Sequence, residues 1–272
     1  MNRIQDIIKT LYIPLCSRIY ISKRFSDYFY DELALNWKYT LEDERILNRS
    51  MDKSSEYAHI VSVTRTAHID TFVRNFTRRN QKCNVVSIGC GFNNLNSRIN
   101  NSDLATFYEV DVPYVIDKRK DFLKIGGLDV EVKSEIFNLD WTENIDKSLP
   151  TMFVADGVFM YYDKQNIVKF INEIGDKFSD VEIVFDTINE KSKDYVNKYF
   201  DRLGRKGAKI YFYVNDVDKF VSELKSVRLI NNLAFFDETK KILSNRVTIQ
   251  TKLNMYRCDK NERCRVIHLK IK

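Results

Sequence analysis

The feature that most constrains the fold of this chain is a glycine turn that follows a short apolar run. A β-branched, apolar stretch over residues 83–88 ends in Gly89-Cys90-Gly91, and apolar side chains then recur at helical spacing over residues 95–99. Glycine has no Cβ, so the chain can reverse tightly and a ligand can approach backbone N–H groups where the helix begins. The pattern predicts a strand, a turn and a helix arranged as in α/β folds that bind a nucleoside.

A second apolar run, over residues 104–110, brings two acids close to its end, Glu109 and Asp111. In dinucleotide-type folds, an acid about 20 residues beyond the glycines holds the ribose hydroxyls of an adenosine. Asn94 stands where a pyrophosphate-binding fingerprint carries its third glycine, which argues against NAD or FAD. The residues therefore favour a cofactor that has an adenosine but no phosphates, and S-adenosylmethionine fits that description.

Composition argues against several classes of partner and site. The net charge of +6 comes from 44 basic and 38 acidic residues, and no basic run is interleaved with aromatic residues, so no nucleic-acid partner is predicted. Five cysteines at irregular spacing and three histidines predict neither a disulfide framework nor a metal site. No apolar run is long enough to span a bilayer, and the N-terminus lacks the core of a signal peptide. A cytoplasmic protein without a membrane partner is expected.

The remaining elements alternate between strand and helix, which predicts an α/β, Rossmann-like fold: a doubly wound, mainly parallel sheet with an antiparallel C-terminal strand and a helical N-terminal lid. One domain is expected over 1–272, with a helical extension over 1–55 and a core over 56–272 that carries an insertion around 194–260. The sequence predicts further strands at 131–137, 152–155, 181–185, 209–213 and 265–272, and helices at 56–78, 113–122, 163–174, 194–203, 217–224 and 239–255.

Four stretches together resemble the leucine carboxyl methyltransferase family, including its bacterial polyketide O-methyltransferase branch. They are, in chain order, residues 65–70 (RTAHID), 86–92 (VSIGCGF), 108–113 (YEVDVP) and 154–162 (VADGVFMYY). The resemblance runs roughly from residue 10 to residue 190 and keeps the order of the motifs. It implies a class I methyltransferase fold that uses S-adenosylmethionine and releases S-adenosylhomocysteine.

The resemblance also implies roles for residues that would hold the methionine half of the cofactor. Arg65 matches the family arginine that pairs with the cofactor carboxylate. Gly89 and Gly91 match the turn beneath the methionine part, and Asp156 matches an acid near the cofactor amino group.

The adenosine half is implied by a second set of matches. Asp111 matches the acid associated with the ribose, and Glu109 lies close enough on the same strand to take that role instead. Asn138-Leu139 falls where the family has Asp-Leu near the adenine. The amide of Asn138 could still accept a hydrogen bond from the adenine amine, unless the neighbouring Asp140 does so.

These features predict an S-adenosylmethionine-dependent O-methyltransferase that acts on a carboxylate or phenol of a small organic molecule. No catalytic base is assigned, because a carboxylate is already ionised at neutral pH and the candidates Tyr161, Tyr162 and His68 fit packing roles better. Two alternatives stay open: methylation of a protein C-terminal carboxylate, and an NAD-binding oxidoreductase. The oligomeric state is not predicted.

Overall fold

The structure is a computed structural model that describes residues 10–37, 40–99, 105–120, 129–202 and 206–271. The strands are Cys83–Ile88 (β1), Ala105–Asp111 (β2), Asp129–Lys133 (β3), Thr151–Ala155 (β4), Val181–Ile188 (β5), Val227–Ala234 (β6) and Cys264–Ile271 (β7). The α-helices are Tyr12–Arg24 (α1), Glu32–Leu35 (α2), Leu41–Lys53 (α3), Glu56–Arg79 (α4), Leu95–Ile99 (α5), Pro113–Lys120 (α6), Lys164–Lys177 (α7), Glu190–Arg202 (α8), Val217–Ser222 (α9), Asp237–Leu243 (α10) and Ile249–Lys260 (α11). Short 3-10 helices occupy Leu139–Asn144, Phe159–Tyr161, Lys206–Ala208 and Ser244–Arg246.

The strands form one sheet in the order β3-β2-β1-β4-β5-β7-β6. Neighbours among the first five strands are parallel, whereas β7 is antiparallel to both β5 and β6. The predicted doubly wound sheet and its antiparallel C-terminal strand beside the fifth strand are therefore confirmed. Because β1 has β2 on one side and β4 on the other, the strand order reverses at β1. Ligands in open α/β sheets bind at such a topological switch point.

The central strands are buried on both faces, which is why apolar residues occupy both of their faces. Every residue of β1 and of β4 is buried. On one face Val86 and Phe153 pack in a core that includes Phe170 of α7. On the other face Val85 and Met152 pack in a core that includes several residues of α4. Packing on both faces fixes the ends of these strands. The glycine turn follows β1, and Asp156 follows β4.

The N-terminal helices form a third apolar cluster above the glycine turn. Tyr12 and Leu15 of α1 are buried together with Trp37, Leu47 of α3 and Phe92, which follows the turn. The polar stretch over 41–53 forms a helix because Thr40 and Asp43 make a reciprocal capping box at its start. The predicted helical extension is thus seen from residue 10 onwards, and its first nine residues lie outside the described residues.

Two of the predicted strands differ from the structure, one in its boundaries and one in its existence. The third strand is β3 at 129–133 rather than 131–137, because the chain then turns, and the amide of Asn138 donates to the carbonyl oxygen of Glu135 at 3.1 Å. The predicted strand at 209–213 is wrong. The amides of Tyr211 and Phe212 instead donate to the carbonyl oxygen of Met160, at 2.8 and 3.3 Å.

The C-terminal third differs most from prediction. The structure contains β6, which was not predicted, at the edge of the sheet beside β7. The predicted long helix over 239–255 is two helices, α10 and α11. The hydroxyl of Thr248 accepts a hydrogen bond from the amide of Thr251 and caps the start of α11.

No helix in the described part of the chain is long and apolar enough to cross a membrane.

A buried histidine between α1 and α4 gives a pH prediction. The imidazole of His59 is buried, its Nδ1 lies 3.1 Å from the hydroxyl of Ser17, and burial lowers its pKa to about 4. The unfolded chain takes up this proton near pH 6.5, but the folded chain takes it up only near pH 4, so the free energy of unfolding decreases as the pH falls through that window. We therefore expect the melting temperature to fall less between about pH 7.5 and pH 5 in His59→Asn than in the wild type. An equal loss in thermal denaturation scans of both proteins would contradict this assignment.

Candidate functional site

A cavity of about 1180 Å³ opens at the carboxyl ends of β1, β4 and β5. Four of the predicted cofactor residues line it: Arg65, Gly89, Gly91 and Asp156. They come from α4, from the turn after β1 and from the end of β4, so the sheet brings together residues that lie far apart in sequence. Within the described residues, no group of three or more histidine, cysteine or acidic side chains could hold a metal ion.

Arg65 is the centre of a buried ion-pair cluster. Its Nε contacts Oδ1 of Asp156, and its Nη1 lies 3.3 Å from Oδ2 of Asp186 at the end of β5. Burial opposes the charge of the guanidinium, but the two carboxylates raise the pKa of Arg65 above its ordinary value. Burial also raises the pKa of Asp186, against the opposing effect of Arg65. The second oxygen of Asp156 accepts a hydrogen bond from the hydroxyl of Thr66 at 2.9 Å, which fixes the carboxylate.

Two glycines make this arrangement sterically feasible. Gly157 has φ +75°, and a Cβ there would lie 2.7 Å from Nη2 of Arg65. Its amide donates to Oδ1 of Asp186 at 2.6 Å. Gly89 has φ +60°, and a Cβ there would lie 2.7 Å from Cγ2 of Val158. Both positions lie in the left-handed region that side chains disfavour, so the backbone at the ends of β1 and β4 depends on glycine.

The N-terminal helix reaches the same cavity through Arg18. Arg18 lines the cavity although only 3% of it is exposed. Its Nε donates to Asp31 at 2.8 Å and its Nη2 donates to the carbonyl oxygen of Phe92 at 2.7 Å. The side chain therefore ties α1 to the segment that follows the glycine turn.

The two candidate ribose acids occupy different surroundings, and neither is among the residues that line the cavity. The carboxylate of Asp111 accepts hydrogen bonds from the amides of Gly91 and Val112, each at 2.8 Å. Glu109 is completely buried and lies 3.6 Å from Nη2 of Arg119, and burial raises its pKa to about 7. Asp111 thus supports the turn directly, whereas Glu109 faces a buried arginine.

The predicted adenine residues lie outside the cavity as well. Asn138 is exposed, and its side-chain oxygen accepts a hydrogen bond from the amide of Asp140 at 3.2 Å, which caps the 3-10 helix Leu139–Asn144. Leu139 is buried in the core beside β4. The structure therefore does not bring Asn138 and Leu139 together with the four residues that line the cavity.

Asp186 is the site residue that sequence reasoning missed most clearly. It contacts Arg65 and Gly157 and lines the cavity, yet in the sequence it is only the residue that follows the predicted strand at 181–185. A usable signal was present, because ligands in open α/β sheets bind at the carboxyl ends of strands and Asp186 directly follows the apolar residues 183–185.

The chain is similar to known proteins in sequence. A family model described as leucine carboxyl methyltransferase matches residues 16–175. A Caenorhabditis briggsae protein named as a probable leucine carboxyl methyltransferase 1 is 26% identical over a match that spans 54% of each chain. The chain thus spans about half the length of that curated relative.

Solved structures share the fold at low sequence identity. A Thermobifida fusca protein that carries the name of a methyltransferase is 10% identical, with a TM-score of 0.61 over 94% of each chain. The plantazolicin methyltransferase BpumL, solved with SAH and a triazolic desmethylPZN analog, is 14% identical, with a TM-score of 0.50 over 98% of this chain and 99% of that chain. Because the family model covers more than half of the 272 residues, the chain belongs to the leucine carboxyl methyltransferase family, which uses S-adenosylmethionine.

Proposed function

We propose that this protein is an S-adenosylmethionine-dependent O-methyltransferase that methylates a carboxylate or phenol of a small organic molecule. The observation that carries the proposal is the size of the cavity next to the Arg65 cluster. Pockets for one drug-sized ligand measure about 300–1,000 Å³, and this cavity measures about 1180 Å³. That volume suits a cofactor together with a small acceptor.

The Arg65 cluster is suited to the amino-acid end of the cofactor. A free α-amino acid group carries one carboxylate and one ammonium, and the pair formed by Arg65 and Asp156 offers the opposite charges side by side. Arg65 would bind the carboxylate through its planar fork, and Asp156 would accept hydrogen bonds from the ammonium. Gly89 and Gly91 would let the methionine part lie against the backbone.

The adenosine end is assigned with the remaining predicted residues. Asp111, with Glu109 as the alternative, is proposed to act at the ribose, and Asn138-Leu139 is proposed to act near the adenine. Support for Asp111 comes from its hydrogen bond to the amide of Gly91, which places it beside the turn. For Asn138 and Leu139 the support is the family resemblance alone.

Methyl transfer requires little of the protein beyond the alignment of the acceptor with the methyl group. S-adenosylmethionine supplies a methyl group on positively charged sulfur, which is already activated for transfer. The chain would hold the acceptor oxygen in line with that methyl and exclude water. Polar and aromatic side chains from several elements line the same cavity and could orient an acceptor: Ser62, Asn189, Asn254, Tyr57, Phe200 and Phe235. A carboxylate acceptor needs no general base near neutral pH.

A second candidate, methylation of a protein C-terminal carboxylate, is favoured by the family match itself. Incubation of the protein with methyl-labelled S-adenosylmethionine and a cell lysate, followed by separation of proteins from small molecules, distinguishes the two. Label in a small molecule other than the unreacted cofactor, absent with Arg65→Ala, supports the proposal. Label in a protein band instead supports the second candidate. The family assignment leaves the NAD-binding oxidoreductase without support.

A further inference from the structure

Arg119, at the end of α6, is among the largest completely buried side chains in the described residues. Its Nη1 donates hydrogen bonds to the carbonyl oxygens of Gly91 and Asn93, at 2.8 and 2.5 Å. Removing a guanidinium from water is costly, so a buried arginine is retained only where its hydrogen bonds and a counterion compensate. Both of the carbonyls that it binds belong to the turn that lines the cavity.

The carbonyl oxygens of residues 91–94 all accept hydrogen bonds from arginine side chains. Arg18 donates to the carbonyl of Phe92 at 2.7 Å, and Arg98 donates to that of Asn94 at 2.9 Å. With the two bonds from Arg119, four consecutive carbonyls from residue 91 to residue 94 accept from guanidinium groups. The turn cannot rotate these carbonyls without breaking charge-assisted hydrogen bonds.

On the amide side, the same turn is held by Asp111, whose Oδ2 accepts from the Gly91 amide at 2.8 Å. Gly91 is therefore fixed between an anion at its N–H and a cation at its carbonyl. The two contacts set the directions of the peptide planes on either side of Gly91, and with them the surface that the turn presents to the cavity. Arg119 is the only one of the three guanidiniums that bonds two of these carbonyls in the described residues.

Glu109 completes the group as a counterion. Its Oε2 lies 3.6 Å from Nη2 of Arg119, and both side chains are 0% exposed. Whereas Asp111 accepts a hydrogen bond from the amide of Gly91 in the cavity wall, Glu109 faces the buried guanidinium of Arg119. Its position under the turn, facing a buried cation, instead fits charge compensation.

We infer that Arg119 is a positioning residue for the cofactor, which holds the turn of residues 91–93 in its binding conformation, and that Glu109 is the counterion of Arg119 rather than a ribose ligand. The inference rests on the proposed cofactor site. It adds a positioning role for Arg119, which does not touch the cofactor. It also replaces the proposed ribose contact of Glu109 with a role as counterion.

The test compares stability with affinity in three variants. Arg119→Met removes both hydrogen bonds and leaves the carboxyl group of Glu109 buried without its partner, so it should lower both the melting temperature and the affinity for S-adenosylhomocysteine. Glu109→Gln should keep the affinity within about threefold, since the bonds from Arg119 to the turn remain. The double variant Arg119→Met/Glu109→Gln should recover melting temperature but stay at least about tenfold weaker in affinity.

Arg119→Lys, which can donate to at most part of this arrangement, should rescue affinity partially. Lys120→Met removes a half-exposed neighbour on the same helix, paired with Glu131, and should leave the affinity unchanged. Affinity that recovers fully in the double variant would overturn the positioning role. A tenfold or larger loss in Glu109→Gln at unchanged stability would overturn the counterion role. Absence of binding in the wild type would instead overturn the proposed cofactor site on which both roles rest.

Discussion

Arg65→Lys is expected to weaken binding of S-adenosylhomocysteine by about ten- to a hundredfold, which corresponds to the loss of one charge-assisted, bidentate contact. Lysine keeps the positive charge between Asp156 and Asp186 but lacks the planar fork that can bind a carboxylate with two parallel hydrogen bonds. The variant should therefore remain folded. Isothermal titration calorimetry of the variant and the wild type measures the effect directly.

Arg78→Lys is the matched control for this prediction. Arg78 lies on the same helix as Arg65 but is exposed and does not line the cavity. Its replacement should change neither the affinity nor the melting temperature beyond error. If Arg65→Lys binds S-adenosylhomocysteine as tightly as the wild type, Arg65 does not hold the cofactor carboxylate.

Gly157→Ala is expected to weaken binding at least tenfold and also to destabilise the protein. The left-handed backbone, at φ +75°, costs an alanine about 1–2 kcal/mol. The new Cβ would lie 2.7 and 2.8 Å from Nη2 and Nη1 of Arg65, so the guanidinium must leave its place between Asp156 and Asp186. Urea denaturation measures the first effect and titration with S-adenosylhomocysteine the second.

Gly175→Ala separates general destabilisation from an effect on the site. Gly175 lies on α7, away from the cavity, and a Cβ there would lie 2.5 Å from Cγ2 of Ile271. This variant should lose stability through overpacking, yet it should bind with wild-type affinity while folded. Equal affinities for Gly157→Ala and Gly175→Ala would show that displacing Arg65 does not matter for binding.

The parts of the fold that were predicted correctly are those whose pattern arises from burial on both faces. The strands β1 and β4 are mostly apolar because helices cover them on both sides, and the sequence shows this without further information. By contrast, β6 lies at the sheet edge, is half-buried to exposed, and carries Asn231 and Asn232 beside a register irregularity. Such a strand is defined by pairing with β7 rather than by its own pattern.

In the site, likewise, local features could be predicted from the sequence and contacts between distant elements could not. The turn at Gly89 and Gly91 is a local feature, and the structure confirms a positive φ at both positions. The partnership of Arg65 with Asp156 and Asp186 joins three elements that only the fold brings together. Arg119 could not be identified from sequence, because a basic residue at a helix end is ordinarily explained by the helix dipole, and its contact with the turn depends on tertiary packing.

The central claim is that the cavity beside Arg65 binds the methyl donor, and the most direct test is a calorimetric titration of the wild-type protein with S-adenosylhomocysteine. The account predicts binding of one molecule per chain with a dissociation constant on the order of micromolar, or about −8 kcal/mol. A rise in melting temperature at saturating ligand should accompany it. A folded protein that gives neither binding heat nor a shift in melting temperature at millimolar ligand would contradict the claim.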